Sequence, residues 1–252
     1  MPRRYLFGPV TRAFAEQHLR HSREVGECLA FNAAGDLDLT VGPSDTWESI
    51  TRQFPAGWQP DFAALYLPYT SIPPGLWFAP VPLVGLACDW NLLWHGYRHQ
   101  LGSCEMILTD AAGVAACQRQ GLAHARAANL YGCEQAYLDF AWPSGPRDLD
   151  VLFVGNLNAA VQGERLAWLG RLARLREHWQ VAIHTGVFGD DYRRLLGRTR
   201  IVFNRSIRGE CNRRVFEAVA AGTLLFSEAG NREVPDYLRA GQEYVEYTDA
   251  NL

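Results

Sequence analysis

A regular alternation of strands and helices over residues 149–247 constrains the fold of this chain most. Short apolar runs at 149–154, 181–185, 201–204, 224–227 and 244–247 are typical of strands that are covered on both faces. Helical patterns separate these runs at 164–176, at 191–196, between Asn212 and Gly222, and at 234–239. Because strands joined by helices form right-handed crossovers, the pattern predicts a parallel sheet and a Rossmann-like domain.

The first half carries a similar but less regular alternation. Strands are predicted at 28–31, 36–41, 62–67, 81–88 and 106–109, and helices at 5–19, 47–54, 92–101 and 111–120. Between the halves, proline, glycine and serine cluster in the stretch AWPSGPRDLD, residues 141–150. We therefore expect an α/β protein with two Rossmann-like domains, 1–142 and 148–252, which face each other across a cleft with a hinge near residues 141–148.

Composition and charge exclude several classes of protein. The chain has 252 residues, of which 48% are hydrophobic and 20% charged, and its net charge of −3 disfavours general nucleic-acid binding. Its six cysteines never approach C-x-x-C spacing, which favours reduced thiols in a cytoplasmic protein over disulfides or a zinc site. No stretch approaches the roughly 20 apolar residues of a transmembrane helix, and the basic N-terminus lacks the apolar core of a signal peptide.

Residues at the carboxyl ends of the predicted strands are the first candidates for a binding site, because ligands of open parallel sheets bind there. In the second half they include Gly155, Asn156 and Gly186, although a tight turn also explains a strand-end glycine. In the first half they are Tyr69, Thr70, Asp89, Trp90, Thr109 and Asp110. Asp89 directly follows the apolar run PLVGLAC, so its carboxylate suits acid–base chemistry, or it caps the helix that follows.

Two arginines open the segment NRRVFEAVAAG, which begins at Asn212. Asn212 is a suitable N-cap, and Arg213 and Arg214 lie in the first helical turn, where cations oppose the helix dipole. A negatively charged ligand at this end, such as a phosphate, would stabilise both side chains. The alternative is that the guanidinium groups are solvated, or that they pair with Glu210 and Glu217.

Several catalytic motifs are missing from the sequence. It contains neither the G-x-G-x-x-G fingerprint nor a G-x-x-x-x-G-K-[ST] loop, so nicotinamide chemistry and P-loop hydrolysis lose their main support. It also lacks the G-x-S-x-G nucleophile elbow. His95 and His99 are four residues apart on a predicted helix, but no third ligand accompanies them, so no metal site is predicted.

The motifs FVGN, YRRLL, IVFN and N-x-R-x-F-E-A-x-A-x-G follow one another between the predicted strands of the second half. In this order they resemble the C-terminal domain of GT-B glycosyltransferases over about residues 150–249. Within the broad family 1 and family 4 group, the CgeB-like branch of spore-maturation proteins is the most similar. The stretches PDFAALYL and IPPGLW resemble the acceptor-side domain of the same proteins. The residues that match the longest motif are Asn212, Arg214, Phe216, Glu217 and Gly222.

The resemblance implies a glycosyltransferase of the hexosyltransferase type, which moves a sugar from a nucleotide-diphosphate donor to an unidentified acceptor. It implies that Glu217 holds the ribose hydroxyls, while Arg214 and the helix N-terminus face the diphosphate. Such enzymes need no metal or other cofactor, because arginines and helix dipoles stabilise the leaving diphosphate. With the strand-end residues included, the predicted donor site comprises Gly155, Asn156, Gly186, Asn212, Arg214 and Glu217.

The sequence departs from the family pattern at two positions. Family 4 enzymes carry two glutamates separated by seven residues, but Gly209 stands where the first is expected and Glu210 follows it. The histidine of the family's N-terminal domain is replaced by Asp89, so the predicted catalytic residues are Asp89 and Glu210. These departures, and a final TDANL typical of a truncated chain, keep an alternative open: a non-catalytic GT-B-like module that binds a nucleotide sugar or a protein partner.

Overall fold

The computed structural model describes residues 3–67 and 71–251. Contacts within the chain divide it into two compact units, Met1–Leu130 and Tyr131–Leu252. Each unit is built around one parallel sheet with helical connections, which confirms the predicted α/β class. Residues 131–147 group with the second unit, and the hinge predicted at 141–148 stays a prediction.

The N-terminal unit contains seven strands and five α-helices among its described residues. The strands are β1 (Tyr5–Gly8), β2 (Cys28–Asn32), β3 (Leu39–Thr40), β4 (Phe62–Tyr66), β5 (Leu83–Leu86), β6 (Met106–Thr109) and β7 (Ala125–Ala127). The helices are α1 (Arg12–His18), α2 (Arg20–Glu24), α3 (Trp47–Thr51), α4 (Trp90–Tyr97) and α5 (Ala111–Arg119), with short 3-10 helices at Pro74–Phe78 and Leu101–Ser103. The strand order is β3-β2-β1-β4-β5-β6-β7, and all neighbours are parallel.

The helix predicted at 5–19 is wrong at its beginning, because Tyr5–Gly8 forms the strand β1. This strand pairs with β2 on one side and with β4 on the other, so it lies inside the sheet. Pro9 follows the strand, and α1 starts only after Thr11, whose side chain accepts a hydrogen bond from the backbone of Phe14. The strand therefore depends on pairing partners more than 20 residues away, which a local helical pattern does not reveal.

The C-terminal unit contains a five-stranded parallel sheet and four α-helices among its described residues. The strands are β8 (Leu149–Val154), β9 (Val181–His184), β10 (Thr199–Phe203), β11 (Leu224–Glu228) and β12 (Tyr244–Tyr247). The helices are α6 (Gln135–Leu138), α7 (Ala159–Arg174), α8 (Gly189–Gly197) and α9 (Arg213–Ala220), with 3-10 helices at Leu175–Glu177 and Val234–Asp236. The strand order is β12-β11-β10-β8-β9.

Both faces of the second sheet are covered, and this explains its uninterrupted apolar runs. Leu152 and Val154 of β8 belong to one core cluster, whereas Phe153 between them belongs to another. Successive side chains of a strand point to opposite faces, so a strand buried on both sides needs apolar residues at every position. The strands predicted in this half therefore match those of the structure to within two residues.

In each sheet, successive strands are added on one side of the first strand and then on its other side, so the strand order reverses once. In the first sheet the reversal lies between β1 and β4, and in the second it lies between β8 and β10. Loops at the carboxyl ends of the strands diverge at such a reversal, which leaves room for a ligand. The fold therefore marks one edge in each unit where a binding site is expected. None of the described helices is long and apolar enough to cross a membrane.

Candidate functional site

The guanidinium group of Arg214 joins the two strands that flank the reversal of the second sheet. Its Nε and Nη2 atoms donate hydrogen bonds to the carbonyl oxygen of Val154, at the end of β8, over 3.0 and 2.8 Å. Its Nη1 atom donates to Oδ1 of Asn204, which directly follows β10, over 2.8 Å. Arg214 is only 9% exposed. It therefore ties the first turn of α9 to the carboxyl edge of the sheet.

Helix α9 begins after Asn212 and ends before Gly222, as the sequence predicts. Asn212 is the N-cap, and its side-chain oxygen accepts a hydrogen bond of 3.1 Å from the backbone N–H of Arg214. Gly222 follows the helix with φ +61°, in the left-handed region that favours glycine. The capping role of Asn212 is thus confirmed, while its predicted contact with a donor stays a prediction.

Gly155 lies directly against the Arg214 side chain. A Cβ atom at this position would come within 2.7 Å of Nη2 of Arg214 and within 2.8 Å of the ring of Phe153. A larger residue at this position would therefore displace the guanidinium group or the Phe153 ring, apart from any contact that Gly155 makes with a ligand. The other two predicted residues at this edge form turns, since Asn156 accepts a hydrogen bond from the backbone of Asn158 and Gly186 has φ +70°.

A second buried arginine, Arg165 of α7, lies at the same edge and was not predicted from the sequence. Its Nε and Nη2 atoms donate to the carbonyl oxygen of Arg205 over 3.1 and 2.9 Å, and its Nη1 atom donates to that of Asn156 over 3.3 Å. It is 6% exposed. Burial lowers the pKa of Arg165 to about 10, and the positive charge of Arg214 is the second largest cause of this shift. The guanidinium group of Arg165 nevertheless remains protonated at neutral pH.

Arg165 and Arg214 share one aromatic ring, and neither forms a hydrogen bond or an ion pair with a carboxylate of the described residues. Their guanidinium carbons lie 5.6 and 4.6 Å from the centre of the Phe153 ring. Every hydrogen-bond acceptor that the described residues offer these two groups is an uncharged carbonyl or side-chain amide. The edge therefore holds two neighbouring positive charges that an anion would stabilise.

A polar network continues from Asn204 across the neighbouring strands. The amide nitrogen of Asn204 donates to the hydroxyl of Ser227 over 3.2 Å, and this hydroxyl donates to Oε2 of Glu228 over the same distance. Oε1 of Glu228 accepts a 3.0 Å hydrogen bond from the side chain of Asn231. The Tyr247 hydroxyl donates to the carbonyl oxygen of Asn204 over 2.7 Å. Buried hydrogen bonds thus fix the ends of β10, β11 and β12 relative to one another.

Among the described residues, neither of the two arginines that open α9 forms an ion pair with Glu210 or Glu217. The hydrogen bonds of the Arg214 guanidinium go to Val154 and Asn204. Arg213 forms an ion pair with Glu134, which lies just before α6. Arg213 is therefore neutralised by an acidic partner, whereas the hydrogen bonds of the Arg214 side chain go to uncharged acceptors.

Glu217 lies one helical turn after Arg214 and is part-buried. Its Oε1 atom accepts a hydrogen bond of 3.1 Å from the hydroxyl of Tyr137, and Tyr192 also hydrogen-bonds to the carboxylate. Burial raises the pKa of Glu217, although the charge of Arg214 and both tyrosine hydroxyls act in the opposite direction. The structure thus surrounds this carboxylate with hydrogen-bond donors that the sequence did not indicate.

Glu210 holds together the loop that leads into α9. Its carboxylate accepts hydrogen bonds from the backbone N–H groups of Ile207 over 3.2 Å and of Arg208 over 2.7 Å. It is 4% exposed, and burial raises its pKa in spite of these bonds. The preceding Gly209 has φ +79°, so a glutamate at that position would be strained in this loop. The catalytic role of Glu210 stays a prediction.

Asp89 follows β5 and has a left-handed backbone, with φ 47° and ψ 32°. Among the described non-glycine residues it alone has a positive φ, a conformation that costs free energy and that is frequent at functional sites. Asp89 occupies the N-cap position of α4, but its side chain makes no capping hydrogen bond to the helix. Asp110, by contrast, caps α5 and accepts a hydrogen bond from the Trp90 ring. Tyr69 and Thr70 lie outside the described residues.

Comparisons with known proteins agree with this architecture. Residues 147–252 match the family described as glycosyl transferase-like. An alpha-glucosyltransferase in complex with UDP and a 13-mer DNA superposes with a TM-score of 0.60 at 8% identity, over 92% of this chain and 80% of that one. A glycosyltransferase from Rickettsia africae ESF-5 superposes with a TM-score of 0.56 at 11% identity, over 100% and 86%. None of the curated proteins matches the chain.

The fold is GT-B. This confirms the fold class predicted from the sequence, and the family match confirms that the second half is glycosyltransferase-like. The CgeB-like branch stays a prediction. In this GT-B fold, Arg165, Arg214 and Glu217 all belong to the C-terminal unit, within the residues that match the family.

We expect Gly155→Ala to destabilise the protein by about 1–3 kcal/mol, because the new methyl group would displace the side chains of Arg214 and Phe153. The matched control is Gly170→Ala on α7, where no heavy atom lies within 4 Å of the added Cβ. This control should be neutral or stabilising, since alanine favours a helix more than glycine does. Urea unfolding of the two variants measures the difference. Equal stability of Gly155→Ala and the wild type would show that the arginine does not require the glycine.

We expect Glu217→Gln to gain stability relative to the wild type as the pH rises from 4 to 7. A carboxyl with a raised folded-state pKa stabilises fully below its unfolded pKa, and this contribution is lost as the pH rises through the folded pKa. Glutamine does not titrate, and Glu210 titrates in both proteins, so its effect cancels. Thermal unfolding at several pH values measures the difference in Tm.

The control for this pH series is Glu243→Gln. Arg239 lowers the pKa of Glu243, so its carboxylate contributes stability above the unfolded pKa, and the variant should fall behind the wild type as the pH rises. The two substitutions should therefore give Tm differences of opposite sign. A Glu217→Gln difference that does not change with pH would contradict the assigned burial of this carboxyl.

Proposed function

We propose that this chain is a glycosyltransferase that moves a hexose from a nucleotide-diphosphate donor to an acceptor. The observation that carries the proposal is the pair of buried guanidinium groups of Arg165 and Arg214 at the reversal of the second sheet. Their hydrogen-bond acceptors are uncharged, so a diphosphate would place negative charge in direct contact with both guanidinium groups. The GT-B fold and the glycosyl transferase-like match of residues 147–252 support the same assignment.

The reaction explains why two arginines are useful at this edge. Glycosyl transfer breaks the bond between the anomeric carbon and a phosphate oxygen, and the diphosphate leaves with additional negative charge. Fixed guanidinium groups stabilise that charge as it develops, without the reorganisation that water requires. Their mutual repulsion, which contributes to the lowered pKa of Arg165, would be relieved by the bound anion. We propose that the arginines do this without a metal ion.

The placement of the diphosphate at Arg165 and Arg214 suggests the remaining contacts with the nucleotide sugar. We assign the ribose hydroxyls to the carboxylate of Glu217. This carboxylate already accepts a hydrogen bond from the hydroxyl of Tyr137, so it suits hydroxyl groups as hydrogen-bond donors. Asn156, Gly186 and Asn212 belong to loops at the same edge of the sheet or at the N-terminus of α9. For Glu210 we propose a positioning role, because both carboxylate oxygens hold the backbone of the loop before α9.

The proposed acceptor is not a nucleic acid. The alpha-glucosyltransferase with a similar fold was solved with DNA, but that likeness concerns the fold alone. Proteins that bind nucleic acids present basic surfaces to the phosphate backbone, whereas this chain has a net charge of −3. Its charge therefore favours a small-molecule, lipid or protein acceptor.

We expect Arg165→Gln to weaken UDP binding by about 10- to 150-fold, which corresponds to the loss of a charged hydrogen bond of about 1.5–3 kcal/mol. Arg174→Gln is the matched control, since Arg174 is exposed near the end of the same helix. Calorimetry with UDP and with uridine separates the diphosphate contact from the nucleoside contact. GDP and ADP in parallel test the choice of base. If both variants bind each diphosphate with wild-type affinity, Arg165 does not contact the donor.

We expect Asp89→Asn to lower sugar transfer or donor hydrolysis by about 100-fold or more and to leave UDP affinity unchanged, because the proposed base loses its proton-accepting carboxylate. Asparagine tolerates the left-handed backbone of this position, so the substitution tests the charge rather than the conformation. Glu24→Gln, an exposed carboxylate at the end of α2, is the control. Full turnover in Asp89→Asn would remove Asp89 from the catalytic residues.

The alternative proposal is a non-catalytic module that binds a nucleotide sugar or a protein partner. The loop before α9 favours it, since Gly209 carries no side chain and the carboxylate of Glu210 is occupied by backbone N–H groups. Donor binding and donor hydrolysis, measured on one sample with a panel of UDP-, GDP- and ADP-sugars, separate the two proposals. Binding of a sugar nucleotide without hydrolysis or transfer would support the module.

A further inference from the structure

A cavity of about 680 Å³ lies at the reversal of the first sheet, within the N-terminal unit. Its walls are the loops that follow β1, β2 and β3, together with residues 71–74 at the start of the 3-10 helix Pro74–Phe78. Its volume falls within the range of about 300–1,000 Å³ that is usual for small-molecule sites. The position matches the place where open parallel sheets bind ligands, at the carboxyl ends of the strands on either side of the reversal.

The wall of the cavity is mainly aliphatic. Val10, Val41 and Ile72 line it, together with Ala33, Ala34 and four prolines. No aromatic residue is among the lining residues that the structure describes. Proteins commonly hold the face of a sugar or a base against an aromatic ring, so this wall suits neither group well. It offers instead a surface on which hydrocarbon is removed from water.

The buried polar side chain of the wall is already saturated with hydrogen bonds. The amide nitrogen of Asn32 donates to the carbonyl oxygen of Val10 over 3.1 Å and to Asp36 over 2.7 Å. Its side-chain oxygen accepts from the backbone of Ala34 over 3.0 Å and of Gly35 over 3.1 Å. An amide side chain has two donors and two acceptor positions, so Asn32 has none left for a ligand.

Thr11 and the two charged side chains of the wall also have partners within the fold. The hydroxyl of Thr11 caps α1 by accepting from the backbone of Phe14 over 3.2 Å. Arg12 pairs with Glu16 over 2.7 Å at the exposed end of the cavity. Among the lining residues that the structure describes, Arg12 and Asp36 carry the charges, and both side chains are engaged and exposed. The interior of the cavity therefore complements an uncharged, apolar group rather than a sugar or a phosphate.

We propose that this cavity binds an aliphatic hydrocarbon chain. The further statement that the chain is part of the acceptor rests on the function proposed above. The acceptor class is then an amphiphile with an alkyl or acyl portion, whose hydroxyl group receives the sugar. Burial of each methylene of such a chain contributes about 0.8 kcal/mol, so the length of the chain sets the affinity.

The proposal is tested by calorimetry with methyl, hexyl and octyl β-D-glucoside, each below the concentration at which it forms micelles. The headgroup is the same in all three, so differences report on the alkyl chain. The affinity should rise about fourfold per added methylene from hexyl to octyl, which is about 0.8 kcal/mol, and the methyl compound should not bind measurably. An affinity that does not depend on chain length overturns the proposal.

Substitutions that fill the cavity test whether octyl glucoside binds inside it. Ala34→Trp should abolish octyl glucoside binding, whereas Ala56→Trp, at an exposed alanine away from the cavity, should leave it unchanged. Ala33→Trp fills the cavity from the neighbouring position and replaces Ala34→Trp if the latter unfolds at a lower temperature than the wild type. Wild-type affinity in folded cavity-filling variants overturns the proposal.

UDP titrations of the same samples separate this inference from the proposed function. If the wild type binds octyl glucoside as predicted but no nucleotide diphosphate, the cavity assignment stands and the glycosyltransferase proposal fails. If it binds UDP but not octyl glucoside, the donor site stands and the hydrocarbon site is wrong. Sugar transfer to octyl glucoside but not to methyl glucoside would support both proposals.

Discussion

The hydrogen bonds from the Arg214 guanidinium to the ends of β8 and β10 hold the candidate donor site together. A buried cation is strongly unfavourable unless its N–H groups are paired, and here Val154 and Asn204 supply the acceptors. Other features follow from this contact: the glycine at residue 155 leaves room for the guanidinium group, and the first turn of α9 is fixed against the sheet. Asn204, which accepts one of these hydrogen bonds, also donates one to Ser227, so Arg214 is connected to the polar network at the ends of the neighbouring strands.

Arg165 adds a second positive charge to this edge. Two adjacent guanidinium groups are unfavourable for stability but favourable for binding an anionic ligand. Two guanidinium groups on one ring repel each other, and only uncharged groups accept their hydrogen bonds. A chain selected for stability alone would place a carboxylate between them, as Glu134 is placed beside Arg213. Sites that bind a charged ligand commonly retain such unfavourable arrangements, because the ligand itself completes the electrostatics.

The two units have the same kind of strand-order reversal, but different side chains lie at it. Each sheet reverses its strand order once, and ligands of open parallel sheets bind at the carboxyl ends of the strands beside such a reversal. In the second sheet buried arginines line that edge, whereas in the first sheet aliphatic side chains and prolines form the wall of a cavity. The chemistry of each edge depends on the loops, whose sequences vary independently of the strands that carry them.

The sequence by itself determined the features that depend on neighbouring residues. Apolar runs marked the strands of the second sheet, and the N-cap Asn212 and Gly222 marked the ends of α9, because burial on both faces and helix capping leave local patterns. Tertiary structure decided that residues 5–8 form a strand, since β1 is stabilised by pairing with two distant strands. It also placed Arg165 beside Arg214, because the burial and the electrostatic surroundings of a side chain are set by contacts between segments far apart in the chain.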